Sequence, residues 1–164
     1  MLSQDPPWSE GGNGAPHFFK IRRAKATDQA EIRALIRNVG INPLGLDWRR
    51  FYLAVDHDNQ LVGCGQIKVH KDGSRELASI AVKENWRRLG IASRLIETLL
   101  HEVDGNVWLM CRSEMVPFYK KFGFIEVLRL DNLPSYFRRI ASLWRMVSKI
   151  FGRKRKGSIM VKKQ

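Results

Sequence analysis

Residues 87–92 have the composition of a phosphate-binding turn between a strand and a helix. The turn reads Arg87, Arg88, Leu89, Gly90, Ile91 and Ala92. Free N–H groups at a helix N-terminus and the helix dipole attract anions, and the two arginines add positive charge. Glycine and alanine have almost no side chain, so a phosphate can approach the main chain closely. The same pattern also fits an ordinary strand-to-helix connection with two solvated arginines.

The elements around this turn predict a mixed α/β sheet. Alternating or continuous apolar runs predict seven strands, at residues 18–24, 50–56, 60–70, 75–82, 107–111, 124–129 and 158–162. Helical spacing of apolar residues predicts helices at 29–39, 91–103, 113–122 and 135–151. A helix between strands 75–82 and 107–111 implies a parallel crossover, whereas the hairpins before it imply antiparallel pairing. We therefore expect a mixed sheet of about seven strands with helices on both faces.

Composition is that of one folded domain with a basic surface. The chain has 164 residues, of which 44% are hydrophobic, and a formal net charge of +13. We expect a disordered tail at residues 1–16 and a single domain at 17–164. No apolar run is long enough to span a bilayer, and no secretory signal is recognised. Cys64 and Cys111 lie in apolar runs, which favours buried free thiols over a disulfide.

The positive charge is concentrated near the C-terminus. Residues 133–164 contain no Asp or Glu, and their basic residues are Arg138, Arg139, Arg145, Lys149, Arg153, Lys154, Arg155, Lys156, Lys162 and Lys163. Such a surface favours polyanions: a nucleotide cofactor, an acidic protein, nucleic acid or anionic lipid. A solvated basic face that packs its apolar side on the sheet would have the same composition.

Three motifs in order resemble the GNAT superfamily of acetyl-CoA-dependent N-acetyltransferases. Arg87 to Ala92 matches the family's Gln/Arg-x-x-Gly-x-Gly/Ala turn, and residues 118–124 match its "FYxKxGF" segment. The closing Ile159-Met160-Val161-Lys162 is similar to its last strand. The basic helical insertion at 133–157 begins with Leu-Pro-x-Tyr-Phe-Arg-Arg, which resembles cyanobacterial and plastid members. That likeness implies a cytoplasmic location, or the plastid stroma if the chain is plastid-encoded.

The resemblance implies where acetyl-CoA binds. In the family, main-chain amides of the turn that here spans Arg87 to Ala92 bind the pyrophosphate, and Lys120 and Lys121 can add charge nearby. Pantetheine then lies along the exposed main chain of Ile80, Ala81 and Val82 as an added strand. No metal is implied. The expected reaction moves the acetyl group directly to a primary amine in a ternary complex, with a protein lysine or N-terminal amine favoured as acceptor.

The resemblance also implies an acid and a base. Tyr119 matches the tyrosine that protonates the departing thiolate in many members; a buried structural tyrosine is the alternative. Glu76 matches the catalytic glutamate of the histone-acetyltransferase branch; a solvated carboxylate at a strand start is the alternative. A regular strand would place Glu76 on one face with Ala78, Ile80 and Val82. His70 and His101 are weaker candidates for the base.

Two positions depart from the family pattern, and one other function remains open. Arg112 stands where many members have a cofactor-contacting Asn, and Met115 where many have a small residue. No His–Cys pairing is visible in the sequence, so Cys111 is not expected to act as a nucleophile. The alternative function is a catalytically inactive module of this fold that binds nucleic acid or anionic membrane through its basic C-terminus.

Overall fold

The computed structural model describes residues 18–151 and 157–163, without the side chains of 144–151. The strands are β1 (Lys20–Arg23), β2 (Phe51–Val55), β3 (Leu61–Val69), β4 (Arg75–Val82), β5 (Val107–Arg112), β6 (Ile125–Glu126) and β7 (Gly157–Lys162). The helices are α1 (Gln29–Asn38), α2 (Ile91–His101), α3 (Val116–Lys120) and α4 (Ser135–Phe151). The expected tail at 1–16 and the loop at 152–156 lie outside the described residues.

The strands form one mixed sheet in the order β1-β2-β3-β4-β5-β7-β6. The predicted parallel pair is confirmed, because β4 and β5 pair in parallel, with Arg75 opposite Val107 and Glu76 opposite Trp108. The pairs β1–β2, β2–β3, β5–β7 and β6–β7 are antiparallel. The expected fold class, a mixed α/β sheet of about seven strands, is therefore confirmed. The contacts divide the chain into two compact units, Met1–Ile67 with Ser79–Glu102, and Lys68–Ala78 with Val103–Gln164.

In the first unit, α1 and α2 pack on opposite faces of β2 and β3. The α1 side chains Ile32, Leu35 and Ile36 join a buried cluster with Leu53, whereas Ala54 belongs to a cluster with Ile91 and Leu95 of α2. Successive strand residues point to opposite faces, so the adjacent residues Leu53 and Ala54 lie on different faces. The helices that contact them therefore lie on different faces as well. Helices therefore cover both faces of these strands.

In the second unit, α4 packs on β5 and β7. Phe137 and Ala141 are buried with Trp108, Ile159 and Val161. Helical spacing in the sequence predicts one apolar side formed by Tyr136, Ile140, Leu143, Val147 and Ile150, with Phe137, Trp144 and Phe151 beside it. The side chains of 144–151 lie outside the described residues, and Tyr136 packs against the buried cluster. Leu143 is an exposed side chain, because the buried stripe is displaced by about one residue around the helix. The predicted strand at 124–129 is also shorter, since only Ile125–Glu126 pair with β7.

Candidate active site

The connection from β4 to α2 has the geometry expected of an anion-binding turn. After β4 ends at Val82, the main-chain N–H of Lys83 donates to Val62 O at 2.8 Å. A single 3-10 turn, Glu84–Trp86, follows. The first main-chain hydrogen bond of α2 runs from Arg94 N–H to Gly90 O at 3.0 Å. The N–H groups of the first helical turn therefore have no acceptor within the helix.

Gly90 is the residue that allows the helix to begin there. Its φ is +79°, in the left-handed region that favours glycine. A Cβ at Gly90 would meet no heavy atom of the described residues within 4 Å, so the backbone conformation rather than lack of space requires glycine. Arg88, with φ +65°, also has a left-handed backbone, and the Arg87 and Arg88 side chains are exposed. The turn thus presents positive charge beside a free helix N-terminus.

One edge of β4 is largely free of strand pairing. The ladder to β5 consists of the pairs at Arg75 and Glu76, and the rest of β4, from Leu77 to Val82, has no partner in β5. Exposed N–H and C=O groups of an unpaired edge can pair with an extended ligand. This edge contains Ile80, Ala81 and Val82, the residues expected to accompany pantetheine.

Ser79 interrupts the regular alternation of β4. Its φ is +59°, which is unusual for a residue other than glycine. The prediction that Glu76 shares a face with Ala78, Ile80 and Val82 assumed an unbroken two-residue period and stays a prediction. Glu76 and Leu77 are both buried. A local irregularity of this kind redirects the side chains that follow it.

Gln66 and Ser79 form a buried polar pair that the sequence analysis missed. Gln66 Nε2 donates to Ser79 Oγ at 2.9 Å, and the Cys64 thiol lies 3.8 Å from the carbonyl oxygen of Ser79. Within the described part of the chain, the Oε1 atom of Gln66 is buried without a hydrogen-bond partner. The only sequence signal was a glutamine inside an otherwise apolar strand.

Glu76 is buried rather than solvated at the strand start. Its Oε2 lies 2.8 Å from Nε2 of His70, and the side chains are 7% and 11% exposed, respectively. Because an ionised carboxylate only accepts hydrogen bonds, His70 is the donor. The structure thus brings together two candidates that the sequence ranked separately. Hairpin register is the signal that could have paired them, since the turn at 71–74 joins β3 to β4.

Tyr119 is enclosed by aromatic rings on α3. The Phe118 and Phe124 rings meet it edge-on, with centroids 5.2 and 6.1 Å away. Pro117 lies in the first turn of α3, as expected. Burial, and then the nearby Cys111, raises the pKa of Tyr119 to about 12. The phenol therefore keeps its proton at neutral pH, as a general acid must.

Both cysteines are free thiols, as predicted, but only Cys64 is buried, whereas Cys111 is partly exposed. Burial raises the pKa of Cys64 to about 12. Burial, and then Glu126 and Glu114, raises the pKa of Cys111 to about 11. Since the thiolate is the nucleophile, neither cysteine is activated at neutral pH.

The remaining sequence candidates are exposed side chains. His101 ends α2 on the surface. Arg112 contacts Glu114 at 3.9 Å, also on the surface. Among the described residues, no group of three His, Cys, Asp or Glu side chains is placed to hold a metal ion. The helices in that part of the chain are too short or too polar to cross a membrane.

Comparison with known proteins identifies the fold. Residues 47–126 match the family model of the acetyltransferase (GNAT) domain. N-acetylglutamate synthase from Neisseria gonorrhoeae, complexed with coenzyme A and N-acetyl-glutamate, superposes with a TM-score of 0.68 at 22% identity. The chain has the GNAT acetyltransferase fold. The superposition covers 91% of this chain and 36% of the synthase, so this chain spans about a third of the length of that protein.

Two other GNAT-fold structures match along nearly their whole length. Rv2747 from Mycobacterium tuberculosis, in complex with CoA and NLQ, has a TM-score of 0.66 and 19% identity, with 88% of this chain and 98% of that chain covered. The ribosomal-protein-S18-alanine N-acetyltransferase from Escherichia coli has a TM-score of 0.62 and 18% identity, with 87% and 92% covered. None of the curated proteins compared with the sequence gives a significant match.

Proposed function

We propose that this protein is an N-acetyltransferase that moves the acetyl group of acetyl-CoA directly to a primary amine. The observation that carries the proposal is the turn before α2, where the left-handed Gly90 opens a helix N-terminus flanked by Arg87 and Arg88. The turn lies within the segment that matches the acetyltransferase domain. Solved neighbours with this fold include proteins complexed with coenzyme A, which supports the same donor here.

In this proposal the turn binds the pyrophosphate of acetyl-CoA. The main-chain amides of Leu89, Gly90, Ile91 and Ala92 supply donors, and the two arginines add charge. Pantetheine pairs with the free β4 edge at Ile80, Ala81 and Val82. The amide groups of pantetheine would then form hydrogen bonds with main-chain N–H and C=O groups of β4 that have no partner in β5.

The proposed chemistry is a single acyl transfer. The neutral amine attacks the thioester carbonyl carbon, and a main-chain N–H of β4 stabilises the oxyanion. Glu76 accepts the proton that the amine nitrogen loses, the C–S bond breaks, and the phenol of Tyr119 gives its proton to the departing sulfur. The products are the N-acetyl amine and CoA with a free thiol. Tyr119 recovers its proton from solvent before the next turnover.

The acceptor belongs to the proposal as well. A chain with a net charge of +13 disfavours polyamines, which supports a protein or peptide amine. The neighbours make amino-acid amines further candidate acceptors, because one neighbour is an N-acetylglutamate synthase and another is, by its name, a ribosomal-protein-S18-alanine N-acetyltransferase. A cytoplasmic or plastid-stromal location rests only on the likeness of residues 133–139 to cyanobacterial and plastid sequences.

The test is a CoA-release assay with acetyl-CoA and three kinds of acceptor. These are peptides with a free N-terminal alanine, peptides with an internal lysine and a blocked N-terminus, and L-glutamate. We expect turnover with at least one acceptor and a mass increase of one acetyl group. Acetyl-CoA that neither binds nor turns over would refute the proposal.

A non-catalytic binding module is the second candidate. It is favoured by the absence of Asp and Glu from residue 133 to the C-terminus and by the exposed Arg138 and Arg139 on α4. Its signature is binding to nucleic acid or anionic vesicles that weakens steeply with salt, without cofactor binding. Measuring both kinds of binding on one preparation separates the two candidates.

A further inference from the structure

Glu76 is held by the turn that joins β3 to β4. That turn is fixed by two main-chain hydrogen bonds of 2.9 Å, from His70 N–H to Ser74 O and from Gly73 N–H to His70 O. His70 therefore leaves β3 just as Glu76 enters β4, and their side chains meet at 2.8 Å. A buried carboxylate is costly unless hydrogen bonds compensate it. His70 supplies such a bond to Oε2.

The start of α4 holds His70 in turn. The Tyr136 ring stacks on the imidazole with centroids 3.5 Å apart and an angle of 14° between the planes. Phe137 meets the same imidazole edge-on at 5.7 Å. Stacking on one side and edge contact on another fix the orientation of the ring, and with it the direction of Nε2.

Asp72 links the start of α4 to the turn between β3 and β4 by hydrogen bonds. Its Oδ2 accepts hydrogen bonds from Tyr136 N–H at 2.8 Å and from Ser135 Oγ at 3.0 Å. Its Oδ1 accepts from Ser74 Oγ at 2.6 Å. Asp72 thus compensates an N–H group at the start of α4 and keeps Tyr136 over His70. We call the group of His70, Asp72, Tyr136 and Glu76 the clasp.

Tyr136 also responds to the charge of Glu76. Burial, and then the negative charge of Glu76, raises the pKa of Tyr136, so its phenol stays neutral. The ionisable groups that face His70 are therefore Glu76 from β4 and the Tyr136 phenol from α4. Asp72 in the turn is directed to the helix start. None of these groups brings a second positive charge to the carboxylate.

We propose that His70 is the positioning residue of the base Glu76, and that the insertion helix α4 keeps His70 in place through Tyr136. This inference rests on the proposed function, which makes Glu76 the proton acceptor. With one carboxylate oxygen bonded to His70, the other is directed to the amine proton. Loss of the hydrogen bond from His70 would change the basicity of Glu76, so the pH dependence of turnover reports on this contact.

The first experiment compares pH–rate profiles of matched variants with acetyl-CoA and the best acceptor of the panel. We expect His70→Leu to lower kcat by about 10- to 100-fold and to change the acidic limb, with the KM for acetyl-CoA within about twofold of wild type. His70→Gln, which keeps an N–H donor of similar reach, should recover most of kcat. His101→Leu is the control for loss of a histidine. A His70→Leu profile that coincides with that of the wild type would overturn the inference.

The second experiment does not depend on activity. In protein with ¹⁵N-labelled histidine, we expect the His70 imidazole to carry its proton on Nε2. Glu76→Gln and Tyr136→Leu should each change the His70 signals, whereas Tyr136→Phe, which keeps the stacked ring, should change them little. His70 signals that are indifferent to Tyr136→Leu would show that α4 does not position the imidazole. An inactive wild type with coupled His70 signals would refute the proposed function and leave the clasp supported.

Discussion

The carboxylate of Asp72 accepts a hydrogen bond from the main-chain N–H of Tyr136 at 2.8 Å, although 64 residues separate the two in sequence. The bond joins the turn between β3 and β4 to the start of α4. It makes the first turn of α4 part of the structure around Glu76. A helix between the last two strands in sequence thereby contacts the turn and the histidine that adjoin the candidate base.

Removal of the Asp72 cap should destabilise the protein in a pH-dependent way. Hydrogen bonds from Ser74 and then from Tyr136 hold the pKa of Asp72 below its usual range. Because the pKa of Asp72 is lower in the folded state than in the unfolded state, Asp72 stabilises the folded protein fully above about pH 4. This stabilisation is lost as the pH falls further. We expect Asp72→Ala to cost about 1 kcal/mol at pH 7, the usual cost of a lost helix cap.

Urea denaturation at pH 7 and at pH 3 measures this effect. The difference in the free energy of unfolding between wild type and Asp72→Ala should be smaller at pH 3 than at pH 7. Asp131→Ala, which removes an exposed carboxylate 3.9 Å from Arg129, is the control and should have little effect at either pH. If the difference in the free energy of unfolding between wild type and Asp72→Ala were the same at both pH values, the ionised carboxylate of Asp72 would not be the stabilising cap of α4.

Tyr119→Phe should separate chemistry from cofactor binding. Tyr119 is half-buried, and desolvation raises its pKa to about 12, so the phenol remains a proton donor across the working pH range. We expect a fall in kcat of about 100-fold, typical of a lost general acid, with little change in the affinity for CoA. Steady-state kinetics and calorimetry with CoA measure the two quantities.

Tyr52→Phe provides the matched control for the loss of a phenol elsewhere. Tyr52 lies under the Arg23 guanidinium, 4.9 Å from the ring centroid, in the first unit. Its loss should leave kcat close to the wild-type value. Equal kcat values for wild type and Tyr119→Phe would show that the thiolate leaves without this proton.

Gly90→Ala should weaken cofactor binding through the backbone alone. Gly90 and Gly73 have φ values of +79° and +80°, and a Cβ at either would meet no described heavy atom within 4 Å. Each alanine substitution should therefore cost a similar amount of stability, about 1 kcal/mol. Only Gly90→Ala should also reduce the affinity for CoA, because only Gly90 opens the helix at the proposed pyrophosphate site.

Denaturation and CoA titration of both glycine variants provide the comparison. Gly90→Asn should recover part of the stability, since Asn tolerates the left-handed region better than Ala. If Gly73→Ala lowered CoA affinity as much as Gly90→Ala, the loss would reflect general destabilisation rather than the proposed binding turn.

Cys111→Ser should retain activity. Burial, Glu126 and Glu114 keep the Cys111 thiol protonated, with a pKa of about 11, so it is not poised to form an acetyl-enzyme. We expect kcat within about threefold of wild type, because direct transfer needs no thiolate. Mass spectrometry after mixing with acetyl-CoA alone should show unmodified protein. An acetylated Cys111 peptide together with an inactive serine variant would indicate a two-step route.

Several elements could be predicted from the sequence because their signals are local. The bounds predicted for β4, Arg75–Val82, are those observed, and α2 begins at Ile91 as expected. Gly90 could be recognised because a helix start with a left-handed residue demands glycine. The wrong assignment of Leu143 to the core shows the limit of periodicity. Several rotations of an amphipathic helix about its axis bury similar apolar surface, and packing against a partner such as Trp108 favours one of them.

The sequence by itself determined the order of strands and helices, the glycine turn at 87–92 and the candidates Tyr119 and Glu76. Only the tertiary structure decided that Glu76 is buried against His70, that Tyr136 covers the imidazole, and that Ser79 has a positive φ within β4. The physical reason is the different range of the interactions along the chain. Propensity and periodicity act over a few residues, whereas a hydrogen bond from Asp72 to Tyr136 depends on how distant segments pack.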